Sequence, residues 1–322
     1  MSGAGVFAPG GWWPILPRAA GKTRPARHPA RSLAPENVMT ATLGIRPLDA
    51  SFGAELTGLR IAGDLPDSDF EDFLAAFHSH HVLLIRDVPN DPAAQVAFSR
   101  RMGPLEHHAA ASAVHPAHPE IFCVGNYAAD GITANFARGV EQWHADSSFR
   151  EVPSTASLFY GAICPPEGGE TCFLDAVSAY ATLPEATRAR IEGLRGVHCL
   201  YTLTEWNRRH TPDRAPMDEA RRKLWPPVAH PLVRTHPVSG RKSLFLCPAV
   251  ISHIEGMGAE ESRALIEELM EHAGQERFVY RHAWREGDLV IWDNRCTLHT
   301  ASLFDHEKYQ RLMFRTTVAG SA

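Results

Sequence analysis

Short runs of β-branched and aromatic residues, separated by Gly and Pro, constrain this chain more than any other feature. They fall at residues 121–124, 156–160, 171–174, 243–246, 278–281, 289–292 and 312–318. Pro165-Pro166-Glu167-Gly168-Gly169 and Pro237-Val238-Ser239-Gly240 are turn segments between them. Runs this short cannot form long helices. Many of them with tight turns point to a β-sandwich or barrel, in which the strands bury their apolar faces together. Helices flank this pattern. Residues 67–80 carry Phe70, Phe73, Leu74 and Phe77 at helical spacing, with Asp67 or Ser68 available as a cap. Asn90-Asp91-Pro92 opens a second helix that Gly103-Pro104 stops. Two more are expected near residues 183–193 and 259–273, and 82–85 reads as a buried strand. Residues 204–231 are charged and contain Pro, an insertion suited to acting as a lid over a site.

The first 38 residues are different in kind. They hold five basic residues (Arg18, Lys22, Arg24, Arg27, Arg31) against one acid, Glu36. The net charge of −5 therefore hides a body at −9. We read 1–38 as a disordered leader or an over-long gene start, with one domain over 39–322. An acidic body offers no footprint for nucleic acid. No apolar run approaches the ~20 residues of a membrane span. Six scattered cysteines without a CxxC pair read as reduced thiols of a cytoplasmic protein.

The 18 histidines are the chemical signal, and most of them are decoys. On a strand, residues i and i+2 share a face, about 6–7 Å apart. A His-x-Asp or His-x-Glu pair thus aims an imidazole and a carboxylate at one point. Three such pairs occur: His118-Pro119-Glu120, His253-Ile254-Glu255 and His144-Ala145-Asp146. Pro119 suits a turn, and Glu255 runs into Gly256 before a helix. Only His144-Ala145-Asp146 lies in a strand-competent stretch bracketed by aromatics, Trp143 and Phe149. Taken alone it is equally a hydrogen-bonded Asp–His couple. Near the C-terminus, Gly287 to His299 is followed by Arg311 and Arg315. Four apart on one strand, the two arginines share a face at about 13 Å, which suits two separate anions. Alone, they are equally two solvated surface arginines.

Taken in order, these residues resemble the taurine/2,4-dichlorophenoxyacetate group of Fe(II)- and 2-oxoglutarate-dependent dioxygenases. The motifs are Leu56-Thr57-Gly58, His80-His81-Val82-Leu83-Leu84-Ile85-Arg86, Met102-Gly103-Pro104-Leu105-Glu106, Trp143-His144-Ala145-Asp146, Gly168-Gly169-Glu170-Thr171, and Trp292-Asp293-Asn294-Arg295 through His299. The likeness spans residues 43–320. Residues 143–149, 231–245 and 278–299 are most similar to the aryloxyacetate-degrading branch.

The resemblance implies a mainly β fold with flanking helices and a double-stranded β-helix (jelly-roll) core. It implies His144, Asp146 and His299 as iron ligands, a two-histidine, one-carboxylate set that leaves positions open. Arg311 and Thr171 would hold the far carboxylate of 2-oxoglutarate, and Trp292 would line the pocket. Arg315 would hold the acid of the prime substrate, and His108 would touch that substrate. The cofactors implied are Fe(II), 2-oxoglutarate and O₂, with ascorbate as reductant in assays. The partner is a small organic anion, and the assembly a dimer or tetramer. The activity implied first is hydroxylation of an aryloxyalkanoate, which then collapses to a phenol and an oxo acid. Alkylsulfonate or alkyl sulfate oxidation is the alternative. A zinc hydrolase or a non-catalytic jelly-roll binding protein is more remote. One departure stands out: the 12 positions from His299 to Arg311 are one more than the family pattern implies, which puts the extra residue in 302–308.

Overall fold

The computed structural model describes residues 43–107, 113–137, 141–210 and 215–321. The leader 1–38 and His108 lie outside them. All the described residues belong to one compact unit within 41–322.

The chain is mainly β with flanking helices. A nine-stranded sheet runs in the order Gly44–Pro47, Ala54–Thr57, Val82–Ile85, Leu289–Asp293, Ala156–Ile163, Leu312–Val318, His118–Gly125 and Val114–His115, with Asn135–Phe136 beside His118–Gly125. A three-stranded sheet holds Val279–His282, Thr171–Asp175 and Thr297–Ala301. Its central strand pairs Phe173 with His299.

The central strands of the large sheet are buried on both faces, so their sequences are apolar throughout rather than alternating. Leu83, Ile85, Leu158, Ile291 and Phe314 pack on one side with Phe73, Phe77 and Phe98 of the helices. Their neighbours Val82, Leu84, Phe159, Val290, Trp292 and Met313 pack on the other side with Phe173 of the small sheet. Period-two geometry thus sorts one run of residues into two cores. Arg315 stands two positions from Met313, and its guanidinium carbon lies 5.4 Å from the Phe122 ring of the second core. Arg311, two positions before Met313, lies over Phe159 of the same core. The shared face expected of the two arginines is therefore the face toward the small sheet.

The helices follow the expected pattern with physical exceptions. Asp67–His80 buries Phe70, Phe73 and Phe77, but its N-cap position falls on Pro66 and no side chain caps it. Asp67 and Asp69 instead sit in the first turn, where they complement the dipole. Pro92–Met102 is capped by Asp91, which accepts from the Ala94 amide at 2.9 Å. Ala259–Ala273 forms as expected, and the helix expected near 183–193 is Glu185–Ile191, with Pro184 at its N-cap position and a separate short helix, Ala176–Ala181, before it. Residues 204–231 carry secondary structure of their own. They contain the helical segments Leu200–His210 (which begins before them) and Glu219–Leu224 and the strand Val228–Pro231. His118, expected in a turn, opens the strand His118–Gly125. Among the described residues, no helix is long and apolar enough to cross a membrane.

Candidate active site

His144, Asp146 and His299 converge: one ligand atom from each lies within 4.8 Å of the others. The local geometry differs from the simple strand expectation. His144 makes an isolated antiparallel bridge to His299, with amide–carbonyl bonds of 3.0 and 2.8 Å. Asp146 already lies in the turn that follows, where Ser147 takes φ 55°. The pair is therefore brought together by a bridge and a turn, not by the pleat of one strand.

The imidazoles are prepared to bind a cation. The Nδ1–H of His144 donates to the Gln142 carbonyl at 2.7 Å, which fixes the tautomer and leaves Nε2 as the free lone pair. Nδ1 of His299 is buried without a partner. Its ring stands 4.1 Å from that of His144 and 4.8 Å from the Trp292 indole. Burial disfavours the protonated form of both rings, and His144 presses His299 further, so its pKa falls well below the ordinary histidine value. Burial opposes charge on Asp146 as well. Arg315, both histidines and the Ser157 hydroxyl outweigh it and hold the carboxyl well below its usual range. The Arg315 Nη1 donates to Asp146 Oδ1 at 2.8 Å and the Ser157 hydroxyl to Oδ2 at 2.7 Å.

The second polar centre is Arg311. It is 3 % exposed, and its Nε and Nη2 find no protein partner. A guanidinium left so is costly unless an anion arrives. Burial alone pulls its pKa down to about 10. The backbone around it is tight. A Cβ on Gly125 would stand 2.0 Å from the Arg311 carbonyl, and one on Gly169 (φ +69°) would stand 3.6 Å from Nε. The approach at Gly125 is possible only for glycine, whereas Gly169 is required by its left-handed backbone. Thr171 is buried, and its hydroxyl accepts from Trp284 Nε1 at 3.0 Å, which leaves its own O–H to donate elsewhere.

Trp292 is placed differently from the pocket-lining expectation. It is 1 % exposed, and its indole packs against His299, Phe173 and Phe159. It supports a ligand histidine rather than walling the open space. That space is a cavity of about 460 Å³ whose lining includes polar His144, Asp146 and Arg315 and apolar Phe122, Phe149, Leu203 and Trp225. Thr204, Trp206, Asn207 and Arg221 line it too, so the segment read as a lid borders this cavity. Glu106 also lines the cavity. Burial raises its pKa, although the Ser147 hydroxyl (2.6 Å) and Arg150 (3.4 Å) oppose the rise. The Arg150 guanidinium lies 4.9 Å from the Trp225 ring centre and ties the proximal loop to the lid.

Residue-type reasoning missed Ser154, Ser157, Asn294 and Trp284. Asn294 stood inside a quoted motif, but nothing in the linear pattern assigned it a task. The serines and Trp284 carry no local signal, because only the fold brings them to Asp146 and Thr171.

Comparison with known proteins shows the family. The family model described as "Taurine catabolism dioxygenase TauD, TfdA family" matches residues 44–317. An α-ketoglutarate-dependent 2,4-dichlorophenoxyacetate dioxygenase of Cupriavidus pinatubonensis is 37 % identical over 284 residues, covering 84 % of this chain and 96 % of the relative. A (S)-phenoxypropionate/α-ketoglutarate dioxygenase of Sphingobium herbicidovorans is 34 % identical over 88 % of this chain and 96 % of its own. The crystal structure of AAD-2 with Mn(II) and N-oxalylglycine superposes with a TM-score of 0.74 at 33 % identity, covering 88 % of this chain and 99 % of that one.

Proposed function

Because the chain belongs to the TauD/TfdA dioxygenase family and is an Fe(II)- and 2-oxoglutarate-dependent dioxygenase, we propose that it hydroxylates an aryloxyalkanoate at the carbon bearing the aryloxy group. The product, a hemiacetal or hemiketal, breaks its C–O bond to give a phenol and an oxo acid. The observation that supports the site assignment is the pair of buried Arg311 nitrogens without a protein partner, a donor pair suited to a carboxylate.

In this reading His144 Nε2, Asp146 and His299 hold the iron. The donor set fits: two imidazoles disfavoured as cations beside one carboxylate held charged. Arg311 takes the far carboxylate of 2-oxoglutarate, with the free Thr171 O–H beside it. When bound, iron and 2-oxoglutarate supply the oxidation of a C–H bond by O₂, with 2-oxoglutarate leaving as succinate and CO₂. The protein's own work is orientation and exclusion of water. Arg315 keeps Asp146 ionised through one nitrogen and offers its remaining N–H groups, including a buried unpartnered Nε, to the acid of the prime substrate. Phe122, Phe149 and Trp225 give the aryl ring an apolar wall. His108 is assigned to the same pocket by its place in the sequence. We further infer that the two sheets form the double-stranded β-helix core, that the catalytic domain comprises 39–322, and that the enzyme works in the cytoplasm as a dimer or tetramer.

The test supplies Fe(II), ascorbate and 2-oxoglutarate and screens 2,4-dichlorophenoxyacetate, phenoxypropionates, alkylsulfonates and alkyl sulfates. Phenol release matched by succinate is expected, and His144→Ala should abolish succinate formation. Release of sulfite or sulfate with no phenol from any aryloxy acid would replace the aryloxyalkanoate reading. Full turnover by the His144 variant would sink the ligand assignment.

A further inference from the structure

Asn294 follows the distal strand directly, is 1 % exposed, and spends both ends of its amide on the proximal ligand. Its Oδ1 accepts the Asp146 backbone N–H at 3.1 Å and the Trp292 indole N–H at 3.0 Å. Its Nδ2 donates to Ser157 Oγ at 3.0 Å, and that hydroxyl donates to Asp146 Oδ2 at 2.7 Å. The amide orientation has one solution. Both groups at Oδ1 are obligate donors, and a serine that gives its proton to a carboxylate can only accept from Asn294. The ring of bonds therefore closes on one residue, reaching Asp146 through its backbone and through its side chain.

Asp146 needs such a tether because it sits in a turn, where no strand ladder sets its direction. Its carbonyl is held by the Ser154 hydroxyl at 2.8 Å and its Oδ1 by Arg315 Nη1 at 2.8 Å, so what sets Oδ2 is the chain from Asn294 through Ser157. We propose that Asn294 is the positioning residue of the metal's carboxylate ligand, coupling the distal motif to the proximal one through Ser157. The proposal rests on the metal-centre reading above. It concerns the pre-setting of Asp146 before any cation arrives, since the network is complete in the protein alone. Trp292 belongs to the same relay: its N–H anchors Asn294 while its ring packs on His299.

The experiment measures Mn(II) affinity of the purified full chain by titration, alongside the thermal midpoint without metal and the ratio of succinate to hydroxylated product. Asn294→Ala should weaken Mn(II) 10- to 100-fold, the range for outer-shell partners of a metal ligand, and raise succinate per product. Ser157→Ala should give a smaller loss in the same direction. The double variant should be no weaker than Asn294→Ala by more than about two-fold, because both act through one chain of bonds. Gln95→Leu is the control. It removes buried hydrogen bonds to the Leu158 and Phe314 carbonyls from the helix Pro92–Met102, and should lower the thermal midpoint with Mn(II) affinity unchanged. Should Asn294→Ala fail to fold, Ser157→Ala and Asn294→Ser carry the comparison. Mn(II) affinity within two-fold of the parent in the folded Asn294 and Ser157 variants overturns the positioning role. So does an equal loss in Gln95→Leu. A parent chain that binds no Mn(II) overturns the metal-centre reading itself, a different and separable result.

Discussion

Two clusters in this molecule each bring two histidines and one aspartate within 4.8 Å: His144–Asp146–His299 and His78–His236–Asp293. By donor count they are equivalent. By hydrogen bonding they differ at the imidazoles, for each carboxylate accepts from a guanidinium, Asp146 from Arg315 and Asp293 from Arg295. In the second cluster His236 Nδ1 accepts the amides of Val238 and Ser239 at 3.3 and 3.0 Å, so Nε2 carries the proton and donates it to Asp293 Oδ2 at 3.0 Å. Arg295 grips Asp293 through Nε (2.8 Å to Oδ1) and Nη2, and its backbone amide adds a third bond. Its Nη2 also reaches His78 Nδ1 at 3.3 Å. The imidazole and the carboxylate at the heart of the cluster are spent, and the cationic place is filled by a guanidinium. In the first cluster His144 is bonded only through Nδ1, His299 turns Nε2 toward Asp146 Oδ2 at 3.9 Å, beyond hydrogen-bond reach, and His144 and Asp146 open on a cavity. Residue type and proximity do not make a metal site. Imidazole lone pairs left over after the protein has satisfied itself do.

The largest effect should come from exchanging the two aspartates for their amides. Asp146→Asn should weaken Mn(II) at least about 100-fold, beyond what outer-shell losses cost, and abolish coupled turnover. Asp293→Asn should leave one Mn(II) bound per chain with affinity close to the parent's. Calorimetric titration of both variants decides it. A parent that binds two equivalents, or an Asp293→Asn variant that binds none, breaks the distinction.

The same contrast marks what was legible in the sequence. The short strands, the helices Pro92–Met102 and Ala259–Ala273, and the shared face of Arg311 and Arg315 follow from periodicity and caps, which are local. The ordered motifs also singled out His144 and His299 from 18 histidines. The second cluster was invisible, since His78, His236 and Asp293 are far apart in the chain and form no motif together. Likewise the roles of Asn294, Ser157 and Trp284 depend on which strands become neighbours. Pairing of 156–163 with 289–293 brings Ser157 opposite Trp292. The reading of Trp292 as pocket wall failed for a related reason. An aromatic on a strand buried on both faces contacts whatever the second sheet supplies, and here that is His299.

A middle-sized effect tests whether the second cluster is structural. Burial alone would raise the Asp293 carboxyl, but the bonds from Arg295 and His236 prevail and hold it at about 2. A carboxylate depressed in the folded state contributes stability above its unfolded pKa of about 3.9, and that stability is lost as the pH falls toward the folded value. Asp293→Asn removes the charge and leaves Arg295 buried beside a neutral amide. A loss of about 3 kcal/mol is expected at pH 7, read from urea midpoints, and the gap between parent and variant should narrow from pH 4 down to pH 2. Equal stability of the two at pH 7 would mean that the cluster does not hold the turn at 293–297 together.

The smallest effect belongs to His78, the half-buried rim of the same cluster. Burial first, and Arg295 second, keep its pKa below the ordinary value. A histidine depressed in this way contributes stability above its unfolded pKa of about 6.5, and the contribution fades as the pH falls below that. His78→Gln keeps an acceptor near Arg295 but cannot titrate. The variant should differ from the parent by about 1 kcal/mol or less at pH 7.5, the scale of one hydrogen bond. It should also lose less of its stability than the parent between pH 7 and pH 5. Thermal unfolding across that window reads the slope, and Mn(II) affinity should not move, because His78 has no part in holding Asp146. A flat pH response in the parent would remove the His78–Arg295 contact from the account. A fall in Mn(II) affinity would do more, since it would make the saturated cluster a metal site after all, and the rule drawn from comparing the two would fail with it.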